Sequence, residues 1–377
     1  MCSATSGAPE PARRPADSRS SAPVGQDQSI RGGPAGLVLF RGCRVVAGER
    51  HDPRERCEMT DDPSATETLR RTDFSDLGER IEGKVRDIYV QPDRLVLVTT
   101  DRHSSFDRIV AHIPGKGEVL NRTAAFWCGE TRDILPNHVI ALPDPNVTVA
   151  RRCTPLKIEI VMRGYLTGVT STSIWTHYQA GRRDFGSFVL PDGMRKNERL
   201  PVPVFTPSTK EATHDETITP AQVLERGLLP KDLLEQVEDT AQKLFRRGQE
   251  IARARGLILV DTKYEMGLDR SGRLTLIDEI HTPDSSRWWM AGSYEERFAA
   301  GQEPEYFDKE FLRRWFVEHC DPYADAVIPE APPELVAELA ARYQQIFSRL
   351  TGLTSTPRDD GRGLLERIRD NLAAYRI

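Results

Sequence analysis

The stretch Gly256-Leu-Ile-Leu-Val-Asp-Thr-Lys-Tyr-Glu-Met-Gly267, followed by Leu274-Thr-Leu-Ile-Asp-Glu-Ile-His-Thr-Pro-Asp-Ser-Ser-Arg-Trp-Trp289, places ionisable groups on what reads as a buried β-hairpin. Leu257 to Val260 is an apolar run of strand type, and a two-residue period beyond it puts Asp261, Lys263 and Glu265 on one face. Leu268-Asp-Arg-Ser-Gly-Arg273 carries turn residues, so the second strand returns Asp278 and Glu279 beside the first. Burying several charges is costly unless they pair or bind ions. The hairpin is therefore a candidate site for Mg²⁺ and a phosphorylated ligand, with a structural ion-pair network among Lys263, Glu265 and Asp278 as the alternative. Asp284-Ser-Ser-Arg287 directly after it adds a second anion-binding group and favours the site.

The surrounding chain has 377 residues, 38% hydrophobic and 29% charged, the composition of a soluble globular protein with room for more than one domain. A net charge of −5 offers no general attraction to nucleic acid or anionic membrane, so phosphate recognition falls to a few placed cations. Six scattered cysteines without a C-x-x-C pair argue against a zinc site or a disulfide framework. They fit a reducing, cytoplasmic setting. No apolar run approaches the roughly 20 residues that span a bilayer.

Residues 1–58 differ from the rest. They are rich in Pro, Gly, Ser, Ala and Arg, with nine arginines and no lysine, and Leu37-Val-Leu-Phe40 is their one apolar cluster. The segment is expected to be disordered: a targeting peptide, a regulatory tail, or residues added by an upstream start, the last favoured because Met59 opens an ordinary acidic N-terminus. Residues 59–155 then read as a β-rich nucleotide-binding domain and 156–377 as a mixed domain with the substrate and metal site and closing helices. Strands are expected over Gly83–Val90, Arg94–Thr100 and Leu156–Arg163, the last ending in its arginine. Helices are expected over Asn121–Thr131, from Thr219, over Lys231–Arg255, around Phe307–Phe316, and over Pro332–Leu350 and Gly363–Tyr375.

Other polar groupings are individually weak. Gly83-Lys84-Val85-Arg86 suits a hairpin turn whose cations reach an anion, although a solvated edge is the plainer reading. Asp101-Arg-His-Ser-Ser-Phe-Asp107 is a working loop or a turn held by Asx and Ser bonds. Gly115-Lys-Gly-Glu-Val-Leu-Asn121 starts a helix or covers a ligand. Arg163-Gly-Tyr-Leu-Thr-Gly168 with Ser171-Thr-Ser-Ile-Trp175 suits a phosphomonoester held by guanidinium, hydroxyls and backbone N–H groups, with a structural Arg–carboxylate pair as the alternative. Pro207-Ser-Thr-Lys-Glu-Ala-Thr-His-Asp215 concentrates Lys, His and Asp without apolar periodicity.

In this order, Gly-Lys-Val-Arg-Asp-Ile-Tyr, Val-Met-Arg-Gly-Tyr-Leu-Thr-Gly, Ser-Thr-Lys-Glu-Ala-Thr-His-Asp, Leu-Val-Asp-Thr-Lys-Tyr-Glu-Met-Gly and Asp-Glu-Ile-His-Thr-Pro-Asp-Ser-Ser-Arg resemble the phosphoribosylaminoimidazole-succinocarboxamide synthase (SAICAR synthetase) family from about Gly83 to Trp315. The resemblance implies an α+β fold, with an N-terminal, mostly antiparallel β domain on a larger mixed domain and ATP in the cleft between them. It implies an ATP-dependent ligase of purine biosynthesis that joins carboxyaminoimidazole ribotide (CAIR) to L-aspartate through an acyl phosphate. Lys84, Val85 and Arg86 would contact ATP, and Lys210 the transferring phosphoryl group. Glu265 and Asp278 would hold Mg²⁺, with Lys263 balancing charge and binding nucleotide. Lys210, Lys263 and Asp278 would be catalytic. Arg163, Ser173 and Arg287 would grip the ribotide phosphate with Asp284 beside them, the hydroxyl being one of Ser171, Thr172 and Ser173. Two rivals remain at the level of sequence: a small-molecule kinase acting on a hydroxyl, and a nucleotide-binding regulatory protein without turnover.

Overall fold

The computed structural model describes residues 67–106, 108–169, 173–210, 216–307, 310–354 and 361–377; the expectations for residues 1–58, Ser171 and Thr172 lie outside them. In chain order, β1 (Glu79–Glu82), β2 (Arg86–Val90) and β3 (Arg94–Thr99) lead to a separate hairpin of β4 (Arg102–Ser105) and β5 (Arg108–His112). Helix α1 (Lys116–Glu130), β6 (Val139–Asp144) and β7 (Val147–Arg151) follow. The first sheet is antiparallel in the order β1-β2-β3-β7-β6. Alternation turns Val96, Val98, Val147 and Val149 to one side, into a core closed by Leu69, Phe74 and Leu77 and, from the other end of the chain, by Ile368 and Leu372.

The second sheet starts with β8 (Thr154–Pro155) and β9 (Ile158–Leu166). After α2 (Ile174–Gln179) come β10 (Glu198–Phe205), β11 (Ser208–Thr209), α3 (Pro220–Glu225) and α4 (Lys231–Ala254), then β12 (Leu257–Leu268), β13 (Leu274–Ile277) and β14 (Ser286–Met290). Its path is β10-β9-β12-β13, with β11 on β9 and both β8 and β14 on β12. Helix α4 covers it with Leu234, Val237, Ala241, Leu244, Phe245, Gly248 and Ala252, the three- and four-residue spacing of one helical face. Each large side chain among these contributes about 1.5–3 kcal/mol of burial. The chain closes with α5 (Ala291–Ala299), α6 (Glu310–His319), α7 (Pro333–Thr351) and α8 (Leu364–Asn371).

Three expectations need revision. Strand β9 runs three residues past Arg163, because Tyr165 and Leu166 pair with Arg199 and Glu198 of β10, so Arg163 is an interior strand residue. Helix α1 begins at Lys116 and not at Asn121, so of the two readings of Gly115 to Asn121 the helix entry holds and Gly117 belongs to the buried first turn. Arg102–Ser105 lies in a hairpin strand, its register irregular between His103 and Ser104, and not in a loop. Helix α5 carries one buried side chain, Tyr294, and left no apolar stripe to read. The turn from β12 to β13 matches its residues: Asp269 Oδ1 accepts from the backbone N–H groups of Ser271 and Arg273, and Gly272 takes φ 80°.

Candidate active site

Register builds the first cluster. Asp261 stands opposite Arg163 and Lys263 opposite Val161 across β12 and β9, so Glu159, Arg163, Asp261, Lys263 and Glu265 share a face. Along it Ser208 Oγ donates to Glu159 Oε2 at 3.0 Å, and Lys263 Nζ donates to Glu159 Oε1 at 2.8 Å and to Glu265 Oε1 at 3.1 Å. Lys210 Nζ closes the ladder on Glu265 Oε2 at 2.6 Å. Burial works against the Lys263 charge, but Glu265 and Glu159 outweigh it and raise its pKa above the ordinary lysine value. Burial likewise works against the Glu265 carboxylate, and Lys263 with Lys210 holds it below the usual range.

Arg86, the first residue of β2, reaches from the first sheet to the second. Its Nη1 meets Asp278 Oδ1 at 2.6 Å and its Nη2 meets Glu279 Oε2 at 3.1 Å, while Thr282 Oγ1 donates to the same Glu279 oxygen at 2.8 Å. Burial opposes the Arg86 charge, but Asp278 and Glu279 raise its pKa; burial pushes Glu279 up against the pull of Arg86. One guanidinium facing two carboxylates leaves this cluster rich in negative charge. Asp278 takes φ 61°, a left-handed conformation that a short polar side chain tolerates, and this turns the chain out of β13. Lys84 and Val85 form the turn before β2; Lys84 is exposed, and the Val85 carbonyl accepts from Thr100 N at 2.9 Å.

Arg163 and Arg287 converge on a single carboxylate, Asp261 Oδ2, at 3.8 and 2.7 Å. Burial lowers the Arg163 pKa, Asp261 raises it, and the neighbouring Arg287 lowers it again. Two guanidiniums on one carboxylate leave an excess of positive charge, the reverse of the Arg86 cluster. Gly168, at φ 106°, lets Ser173 into this corner: a Cβ there would lie 2.5 Å from Ser173 Cβ and 3.3 Å from Arg287 Nη1. Ser173 caps α2, its Oγ accepting from Thr176 N at 3.3 Å.

Asp284 stands elsewhere. Its Oδ2 pairs with the buried Lys116 Nζ at 2.7 Å, its Oδ1 accepts from the Tyr343 hydroxyl, and its charge acts on Arg86 and Glu279. The turn folded around Thr282 Oγ1, which accepts from the backbone N–H groups of Asp284 and Ser285, aims Asp284 at α1 and α7. Glu159 and Lys116 were given no role by the sequence, and Asp261 and Glu279 were placed on the charged hairpin without individual roles. For Glu159 the signal was present: four residues before Arg163, it falls on the same face by the period of two.

Comparison with known proteins gives the family. The family model described as SAICAR synthetase matches residues 79–329. A phosphoribosylaminoimidazole-succinocarboxamide synthase of Legionella pneumophila is 54% identical over 275 residues, 73% of this chain and 88% of the relative. The chloroplastic enzyme of that name from Arabidopsis thaliana is 53% identical over 276 residues, 73% of this chain and 67% of the relative. Among solved structures, SAICAR synthase of Saccharomyces cerevisiae complexed with SAICAR superposes with a TM-score of 0.67 at 30% identity, covering 77% of this chain and 100% of the yeast chain. Given a family match over residues 79–329 and relatives above half identity, the chain belongs to the SAICAR synthetase family.

Proposed function

We propose that the lysine–carboxylate ladder and the Arg86 cluster together handle Mg-ATP, and that Arg163 and Arg287 hold the phosphate of the ribotide. The chain is an ATP-dependent carbon–nitrogen ligase of purine biosynthesis, joining CAIR to L-aspartate with release of ADP and phosphate. The observation that carries the division of labour is the opposite charge balance of the two regions. Two guanidiniums against one carboxylate await a phosphate dianion, whereas one guanidinium against two carboxylates awaits a cation.

Lys84, the backbone at Val85 and Arg86 bind the nucleotide phosphates from the β1–β2 turn. Lys210 exchanges Glu265 for the transferring phosphoryl group, and Lys263 remains protonated to balance charge between Glu159 and Glu265. A CAIR carboxylate oxygen attacks the γ-phosphorus and ADP leaves; the neutral amine of aspartate then adds to the acyl carbon, phosphate departs with the C–O electron pair, and the amine loses a proton. The lysines matter most in the first step, where negative charge gathers between carboxylate and phosphoryl oxygens.

Among the described residues no three His, Cys, Asp or Glu side chains form a complete metal cage. Mg²⁺ takes one or two carboxylates and completes its shell with nucleotide phosphates and water. Glu265 and Asp278 would hold it, and when bound it would neutralise phosphate charge. Arg163, Ser173 and Arg287 grip the ribotide phosphate. Asp284 acts beside the Arg86 cluster through Lys116 and Tyr343, and reaches the ribotide only by exchanging one of them. Residues 59–155 and 156–377 serve as nucleotide and substrate domains. No described helix is long and apolar enough to cross a membrane. We place the enzyme in the cytoplasm, the compartment its scattered thiols suit.

Phosphate release by the purified protein with Mg-ATP, CAIR and L-aspartate, omitting each in turn, tests the reading. Release that needs all three, with a product heavier by the aspartyl group, is expected. ADP formation at the full rate without aspartate, with the phosphoryl group kept on the product and no phosphate released, would point instead to a kinase.

A further inference from the structure

Tyr264 lies on β12 between Lys263 and Glu265, and the strand's alternation sends it to the opposite, buried face. There its hydroxyl meets Nε2 of His281 at 2.6 Å. His281 is itself fully buried and stands three residues beyond Asp278, in the turn that also carries Glu279. Both ends of that turn are left-handed without glycine: Asp278 at φ 61° and His281 at φ 51°. A turn of this kind persists only where its surroundings hold it.

The surroundings are specific. The His281 ring packs edge-to-face on Trp127 of α1, with centroids 4.7 Å apart. Its other side is admitted by Gly248 of α4, where a Cβ would lie 2.4 Å from His281 Cε1 and 2.9 Å from Nδ1. Nδ1 has no hydrogen-bond partner among the described residues, so the bond to Tyr264 is the one polar tie that fixes the ring's rotation. That tie joins the strand bearing Lys263 and Glu265 to the turn bearing Asp278 and Glu279.

We propose that His281 is a positioning residue: seated against Gly248 and tied to Tyr264, it sets the distance between the carboxylates of β12 and those of the turn after β13. It touches none of the reacting atoms. It acts through Asp278 and Glu265, and the inference therefore rests on their assignment to Mg-ATP. The corner formed by Arg163, Arg287 and Asp261 shares the face of Glu265 but is anchored by the pairing of β12 with β9 and β14, not by the turn from Asp278 to His281, and does not depend on it.

Tyr264→Phe removes one oxygen and keeps the ring, so it is the first variant to make. A misplacement of about 1 Å in the phosphate-binding groups is enough to change turnover strongly. The expected result is a rise on the order of tenfold in KM for Mg-ATP and in the Mg²⁺ concentration for half-maximal rate, with KM for CAIR within about twofold of wild type. Gly248→Ala, which pushes the ring from the helix side, should give the same split. His281→Asn keeps a residue that tolerates positive φ but cannot reach Tyr264, and should behave like Tyr264→Phe.

A Tyr264→Phe enzyme with unchanged kinetics, or one in which all KM values rise together in step with a lower Tm, would overturn the inference. Asp278→Asn run in parallel separates the two levels. If that variant binds Mg-ATP normally the metal assignment itself fails, whereas an impaired Asp278→Asn beside an unaffected Tyr264→Phe removes only the role of His281.

Discussion

Two buried histidines make the chemistry of single residues measurable through stability. Burial pushes His281 from 6.5 down to about 3 and His138 down to about 4, where the upward pull of Asp278 is opposed by the charges of Arg86 and Arg151. Folded values below the unfolded ones mean that unfolding takes up protons in acid. The contribution is complete above about pH 6.5 and is lost as pH falls through the window down to about 4 and 3. Each histidine then adds a slope of about 1.4 kcal/mol per pH unit. Urea midpoints should fall steadily between pH 7 and pH 5, and equal stability at both values would show that these rings are charged or exposed in the folded protein. Sequence alone gives His281 no role, since nothing in Asp-Glu-Ile-His says that a glycine on a distant helix makes room for the ring.

Among elements, α1 shows how a local reading goes astray and what that implies. Gly115-Lys-Gly117 reads equally as a helix entry or a covering loop, with the helix expected only from Asn121, yet the helix starts at Lys116 and presses on the end of β3. A Cβ at Gly117 would lie 2.3 Å from the Thr99 carbonyl and 2.8 Å from Asn146 Nδ2, the pair that ties β3 to the β6–β7 turn. Helix propensity alone would make Gly117→Ala stabilising by about 0.5–1 kcal/mol. The close approach reverses the sign, and a net loss of about 1–3 kcal/mol is expected. Thermal melts of Gly117→Ala decide it: an unchanged or higher Tm would mean that α1 and β3 are not packed this closely. By contrast β12 and β13 were legible, because their alternation and the Asp269–Gly272 turn are local signals. The end of β9 was not, because pairing with β10, thirty residues on, carries it past Arg163.

On the scale of the whole molecule, the ends of the described chain meet. Arg367 of α8 forks onto Asp144 at 3.0 and 3.1 Å, and Ile368 and Leu372 complete the core of the first sheet. Contacts over more than 200 residues leave no trace in local periodicity, and a helix such as α8 could be read as present but not placed. The same holds for Arg86, whose partners Asp278 and Glu279 come from the other sheet. The motifs named the candidate residues, and the fold decides which of them share a charge. That sharing separates the region assigned to Mg-ATP from the corner assigned to the ribotide.

The most direct test of that separation is the pair of KM values, for CAIR and for Mg-ATP, measured on one preparation of Arg287→Met. Loss of a charge-assisted contact to phosphate costs roughly 2–3 kcal/mol, so KM for CAIR should rise on the order of 10²-fold while KM for Mg-ATP stays within about twofold. A rise in KM for Mg-ATP with CAIR unaffected, or an equal rise in both, would contradict the account.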